Sequence, residues 1–189
     1  MIVRRFLTPP LVIGVLLVAA VAVAGGFITS PLPIDTTVWN DFIASRTPAM
    51  NTFMTGASWL FDPKRAVIVA VAVAAFVWWL VKKVMHALYI LGSVAFSGIN
   101  GYIIKHIDSR PRPEEAYRLI TEDGYSFPSG HATAVTALIV SLVLVLTMTR
   151  LYLGVHWVTD VIGGFGVGLG SSMILAPFMI GPNALKLFR

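Results

Sequence analysis

The chain has no cysteine among its 189 residues, which excludes disulfide staples, thiolate-held zinc and thiol catalysis. Charge is also scarce. Only 12% of residues are charged while 57% are hydrophobic, against about 25% and roughly 45–50% in an ordinary soluble domain. So few charges cannot cover a globule with polar surface. With a mean hydropathy of +0.81, lipid is the expected solvent. The net charge is +5, but the cations sit in short clusters between apolar runs. That placement fits membrane topology and anionic headgroups, and argues against a nucleic-acid partner. The length predicts one domain.

A bilayer core about 30 Å thick needs roughly 17–25 helical residues per crossing, and five apolar runs qualify. The first is Leu11 to Thr29, preceded by Arg4 and Arg5. A secretory leader is the alternative for this run, but it is long for a signal h-region of roughly 7–15 residues, so an anchored span is expected. The others run from Ala66 to Val81, from about Val84 to Ile104, from Ala132 to Met148 and from Trp157 to Ile180. Gly92, Ser93, Ser97 and Gly98 are small enough for close helix packing in the third. Between the first two spans, Val38, Trp39, Phe42 and Ile43 recur at helical spacing and predict a short helix lying on the membrane surface. The fold class is therefore all-α, a polytopic membrane helix bundle. It is a single domain over 1–189, with an anchor span (1–29), a loop carrying the surface helix (30–63), a core (64–180) and a tail (181–189).

Arg4/Arg5 and Lys82/Lys83 are separated by two crossings and are expected inside. The polar stretch from Lys105 to Gly130 then faces outward. It carries five basic residues, counting His106, against the positive-inside rule, so those charges are expected to serve another purpose. Arg110 is expected to contact headgroups or a loop carboxylate such as Glu114 or Asp108, and His86 and His106 belong to no motif.

Three pieces of sequence combine into a constellation. Lys105 is followed by Arg112-Pro113. Pro128-Ser129-Gly130-His131 directly precedes an apolar helix. Arg150, His156 and Asp160 open the last span. Lys105, Arg112 and Arg150 supply cations, and the arginines can grip phosphate oxygens bidentately. Ser129 and Gly130 stand at a helix start, where free N–H groups and the macrodipole favour an anion. His131 is placed to protonate a leaving oxygen. His156 and Asp160 are four apart, a spacing that shares a helix face and lets a carboxylate fix the imidazole tautomer. These are the parts of a phosphoryl-transfer site that needs no metal and no cofactor. Each piece alone has a plainer reading: a topology signal, a helix-start turn, or a structural His–Asp pair.

The three pieces, together with Ser45-Arg46-Thr47-Pro48, Ser126-Phe127 and the run Tyr152 to Trp157, resemble the signature motifs of the type 2 phosphatidic acid phosphatases, which share a site with vanadium haloperoxidases. The third motif usually begins Ser-Arg and here begins Thr149-Arg150. The resemblance implies a bacterial plasma-membrane enzyme, built on a six-helix core, with its site facing outward. It implies that His156 attacks phosphorus, Asp160 orients it and His131 protonates the departing oxygen. Lys105, Arg112, Arg150, Ser129 and Gly130 would hold the phosphate. The implied substrates are lipid phosphates or diphosphates of the undecaprenyl diphosphate, phosphatidylglycerol phosphate or phosphatidate class.

One interval conflicts with that expectation. Only 24 residues separate His131 from His156, whereas the family crosses the membrane twice there, which takes about 20 residues per crossing. Ala132 to Met148 contains no Gly, Pro, Asn or Asp to turn it. It reads as a single crossing, with a truncated helical hairpin, a short re-entrant hairpin or an inverted last span as the ways out. The rival to an enzyme is an inactive relative that binds lipid headgroups.

Overall fold

The computed structural model describes residues 9–60, 62–152 and 156–179, with side chains described over 11–60, 62–151 and 156–171. Every α-helix among them begins where the sequence supplies a start signal or ends a polar turn. The helices are α1 (Pro9–Phe27), α2 (Pro33–Ala44), α3 (Pro48–Leu60), α4 (Pro63–Val81), α5 (Val84–Asp108), α6 (Gly130–Tyr152) and α7 (Val158–Met179), with a 3-10 turn at Glu115–Tyr117. There is no strand among the described residues. Three helices, α4, α5 and most of α6, are long and apolar enough to cross a membrane. α1 and α7 coincide with the first and last apolar runs, so all five expected runs are helical.

Capping explains the boundaries. Asp62 accepts from the Lys64 N–H at 3.0 Å with Pro63 next in line, and Thr47 accepts from the Met50 N–H at 3.2 Å ahead of Pro48. Both are side-chain N-caps followed by proline at the first helical position. The α2 helix covers the segment expected to be a short helix. The α3 helix was missed, although Thr47-Pro48 announces it.

α4 and α5 form an antiparallel pair joined by Lys82-Lys83, with Lys82 in the left-handed region at φ 58°. α6 packs on both. Ala66, Ala70 and Ala74 recur every fourth residue along α4, and all three are buried. Ala74 joins Val77, Ala87, Ile90 and Val145 in the buried seam, since small side chains let helices approach closely in lipid. The expected packing role of Gly92 and Gly98 is corrected: a methyl at either would touch nothing. Alanines on the opposite helix make the close seam instead.

α5 runs further than expected, so Lys105 and His106 lie in its last turn and not in a loop. There His106 Nδ1 meets the Tyr102 carbonyl at 2.8 Å. α6 also runs past Met148 and absorbs Arg150. It is one unbroken helix of 23 residues, which excludes the re-entrant hairpin.

α1 docks by its C-terminal end against the end of α5. At Gly25 a methyl would overlap the Asp108 carboxylate and the Phe127 ring, whereas at Gly26 it would meet nothing. Gly25→Leu should lower the thermal midpoint in detergent by the overpacking cost of about 1–3 kcal/mol, and Gly26→Leu should not. Equal effects of the two substitutions would contradict this docking.

Candidate phosphate site

The described helices leave two polar ends, and the expected site residues divide between them. At one end, here called the cradle end, lie the last turn of α5, the first turn of α6, the α2–α3 pair and the loop 109–129. Lys105 reaches across to donate to the Tyr125 carbonyl at 2.6 Å. Arg112 donates to the carbonyls of Gly124 (3.1 Å) and Asp123 (3.2 Å) and pairs with Glu122 at 3.4 Å. Arg118 forks onto the Pro113 carbonyl at 2.9 and 2.7 Å. Arg46, at the α2–α3 turn, donates to the Tyr117 carbonyl at 2.8 Å, and Tyr117 packs edge-on against Trp39. Loop carbonyls thus hold Arg46 and Arg118 without neutralising them, whereas Arg112 is shared between loop carbonyls and the Glu122 carboxylate.

Arg46, Arg112 and Arg118 line a single cavity of about 310 Å³ together with Ser58, Leu119 and Glu122. His131, in the first turn of α6, lies beside it. Its Nε2 is 3.1 Å from the Ser58 carbonyl and 3.4 Å from the Ser58 hydroxyl. A bond to the carbonyl requires the tautomer that carries its proton on Nε2. Ser129 caps α6 by accepting from the Ala132 N–H at 3.4 Å. Gly130 sits so near Pro63 that a methyl would come within 3.1 Å of its ring. The structure therefore gathers Lys105, Arg112, Ser129, Gly130 and His131 at one end. It adds Arg46, Arg118 and Ser58, which the reading of the sequence had not placed there. Only the Ser45 to Pro48 resemblance hinted at Arg46, and nothing local pointed to Ser58.

The other three residues stand at the far end. Arg150 is in the last turn of α6 and lines a cavity of about 860 Å³ with Lys83, His86 and Thr149. His156 precedes α7, so it does not share a helical face with Asp160 as expected. Its Nδ1 is 3.6 Å from Asp160 Oδ2, too long for a hydrogen bond. That oxygen instead accepts from the Trp157 N–H at 2.9 Å, the reciprocal half of a capping box. Both side chains are about half exposed.

At ~1.5 Å of rise per residue, the interval from His131 to Arg150 along α6 is about 28 Å. Tyr152 to His156 can recover at most ~14 Å of the ~31 Å between His131 and Tyr152. One copy of the chain does not bring the two groups to one phosphorus. The sequence reading anticipated this consequence of a single crossing. Among the described residues, no group of three or more His, Asp or Glu side chains could hold a metal.

Arg110 does not meet Glu114 or Asp108 as expected. It pairs with Asp35 of α2 at 2.8 Å, which ties α2 to the loop. The Ser126 hydroxyl ties the two arms of the loop by donating to the Pro111 carbonyl at 2.9 Å.

The chain matches the PAP2 superfamily over residues 86–148, a segment that holds the first two motifs and ends before Arg150. Phosphatidylglycerophosphatase B of Bacillus subtilis is 29% identical over 149 residues, covering 66% of this chain and 72% of that protein. Lipid A 1-phosphatases of Rhizobium johnstonii and Rhizobium etli are each 30% identical over 111 residues, covering 47% of this chain. The alignments span 46% and 48% of those two proteins, about half their length. No solved structure matches. The chain is thus similar to the PAP2 superfamily over about a third of its length, residues 86–148, and to phosphatases of membrane lipids at 29–30% identity.

The Leu32 N–H, and after it Arg110, hold the Asp35 carboxyl below its ordinary range. A carboxyl depressed in the fold contributes stability above its unfolded pKa and loses it as pH falls through the folded one. Thermal stability in detergent should therefore fall below about pH 4, and Asp35→Asn should flatten that acid-side loss. An unchanged acid limb in Asp35→Asn would contradict the pairing.

Proposed function

We propose that this protein hydrolyses the phosphate of a membrane lipid at the outer face of a bacterial plasma membrane, through a phosphohistidine and without a metal. The observation that carries the reading is that Arg46, Arg112 and Arg118 line one cavity, with His131 bonded to Ser58 of its wall. Fixed cations stabilise the charge that develops on transferring phosphoryl oxygens. The free N–H groups at the start of α6 add to that field.

In the reaction, the Nε2 lone pair of His156 attacks phosphorus and the bond from phosphorus to the lipid oxygen breaks. That oxygen takes a proton from His131. Water then attacks the phosphohistidine, His131 takes the water proton, and the P–N bond breaks to release inorganic phosphate and free His156. Asp160 faces Nδ1 of His156, which leaves Nε2 as the nucleophilic nitrogen. Lys105, Arg112, Ser129 and Gly130 hold the phosphate, and the resemblance assigns Arg150 to it as well, although Arg150 and His156 stand at the far end of α6 in the single copy. Among substrate classes, phosphatidylglycerol phosphate stands first, because the relative aligned over the largest share of its length is named for that lipid. Undecaprenyl diphosphate and phosphatidate follow.

A second reading is favoured by the unbroken α6: capture of a lipid headgroup at the cradle end without turnover. The experiment is phosphate release from these lipids by purified protein in mixed micelles with EDTA present. The expected result is EDTA-resistant release, inhibited by vanadate and reduced about 10²–10⁴-fold in His131→Ala and to background in His156→Ala. Full turnover in His156→Ala would eliminate the proposed nucleophile. Saturable lipid binding with no release would establish the second reading.

A further inference from the structure

The cations of the cradle end are mounted on two separate stretches of the 109–129 loop. Lys105 and Arg112 hold its later arm, through the Tyr125 carbonyl for the one and those of Gly124 and Asp123 for the other. Arg46 and Arg118 hold its earlier arm, through the Tyr117 and Pro113 carbonyls. The two pairs also differ in counter-charge. Arg112 meets Glu122 at 3.4 Å, whereas among the described residues neither Arg46 nor Arg118 has a carboxylate partner. We infer that Arg46 and Arg118 form a second anion subsite, which takes a phosphate that stays on the lipid. Lys105 and Arg112 take the phosphate that is removed. The substrate class is thereby narrowed to lipids carrying two phosphates in series. This inference rests on the phosphatase reading for its reaction, but the preference it implies is also legible in binding.

Charge supports it first. Arg46, Arg112, Arg118 and Glu122 all line the cavity. Arg112 and Glu122 offset each other, and Arg46 and Arg118 leave two positive charges unanswered. A guanidinium carries five N–H donors in a fork that matches phosphate oxygens. Arg46 spends one of them on the loop and Arg118 spends two, so both keep donors for a ligand.

Room and placement support it next. The cavity of about 310 Å³ has space for about ten waters at roughly 30 Å³ each, more than a lone phosphate group fills. Arg118 is followed directly by Leu119 and Ile120, which are 46% and 40% exposed and line the same cavity with Met54. The second pair of cations therefore stands beside an apolar wall on which an acyl chain can lie. A lipid laid there has its retained phosphate nearest Arg118 and its terminal phosphate free to reach Lys105 and Arg112. In phosphatidylglycerol phosphate the retained phosphate lies one glycerol from the terminal one, and in undecaprenyl diphosphate the two are joined directly. Phosphatidate has only the phosphate that leaves, so it has nothing to offer Arg46 and Arg118.

Turnover of phosphatidylglycerol phosphate and of phosphatidate with the same acyl chains is compared in mixed micelles with EDTA present. The wild-type kcat/KM should favour phosphatidylglycerol phosphate by about 10-fold or more, the effect of one or two charge-assisted hydrogen bonds. Arg46→Gln and Arg118→Gln should each shrink that ratio several-fold, whereas Arg112→Gln should lower both activities and keep the ratio. Wild-type protein that turns over both lipids alike overturns the second subsite, a result that needs no variant, and leaves the phosphatase reading standing. A preference that survives in both Arg46→Gln and Arg118→Gln also overturns it. Calorimetric titration of the same two lipids into the detergent-solubilised protein keeps the readings apart. Tighter binding of phosphatidylglycerol phosphate, lost in Arg46→Gln and Arg118→Gln, in a wild-type protein that releases no phosphate overturns the hydrolysis and leaves the subsite standing. Equal binding without release overturns both.

Discussion

In hydrocarbon every backbone N–H and C=O has to find its partner within its own segment, and that constraint governs this molecule through α6. Its apolar sequence offers no residue at which a turn could satisfy the backbone, so the segment from Gly130 to Tyr152 forms one rod. The rod's start supplies the N–H groups and His131 at the cradle. Its last turn carries Arg150 a membrane's thickness away. Packing against α4 and α5 fixes the rod in place through an alanine seam, so the separation of its ends belongs to the same core that holds the fold together.

The cradle end follows a different physical logic. Its arginines are held by carbonyl oxygens of the 109–129 loop and the 3-10 turn, which leaves Arg46 and Arg118 without a carboxylate partner among the described contacts. Glu122 is the one carboxylate that touches Arg112. Asp35 answers Arg110 on the outer side of the loop, away from the cavity. The loop is closed by Ser126 and anchored by Arg110 to α2, which presents the cations as a set.

Much of the fold was legible because bilayer thickness translates directly into run length, and all five apolar runs proved helical. Run composition does not reveal which face packs. Gly92 and Gly98 looked like contact residues yet face outward, while the buried residues of the neighbouring α4 are Ala66, Ala70, Ala74 and Val77. Helix ends were misjudged where a charged residue continued the helix, as at Lys105 and Arg150, since composition registers the charge and not the backbone bonds that carry on past it. Half the site was legible because Lys105 to Arg112 and Ser129 to His131 are local motifs. Arg46 and Ser58 join them only through the tertiary placement of α2 and α3, which no spacing rule encodes. The conflict over the His131 to His156 interval could also be read from the sequence, because helix rise and bilayer thickness are both fixed quantities.

The central claim is that residues 130–152 form one continuous helix, and the distance between its ends tests it most directly. Spin labels on Ala132→Cys and Met148→Cys, in labelled protein diluted with unlabelled copies in lipid nanodiscs, report that distance by pulsed electron resonance. A single narrow population centred near 24 Å is expected from the helical rise. A population below about 15 Å, as a chain folded back on itself gives, would contradict the rod and bring the two halves of the site together.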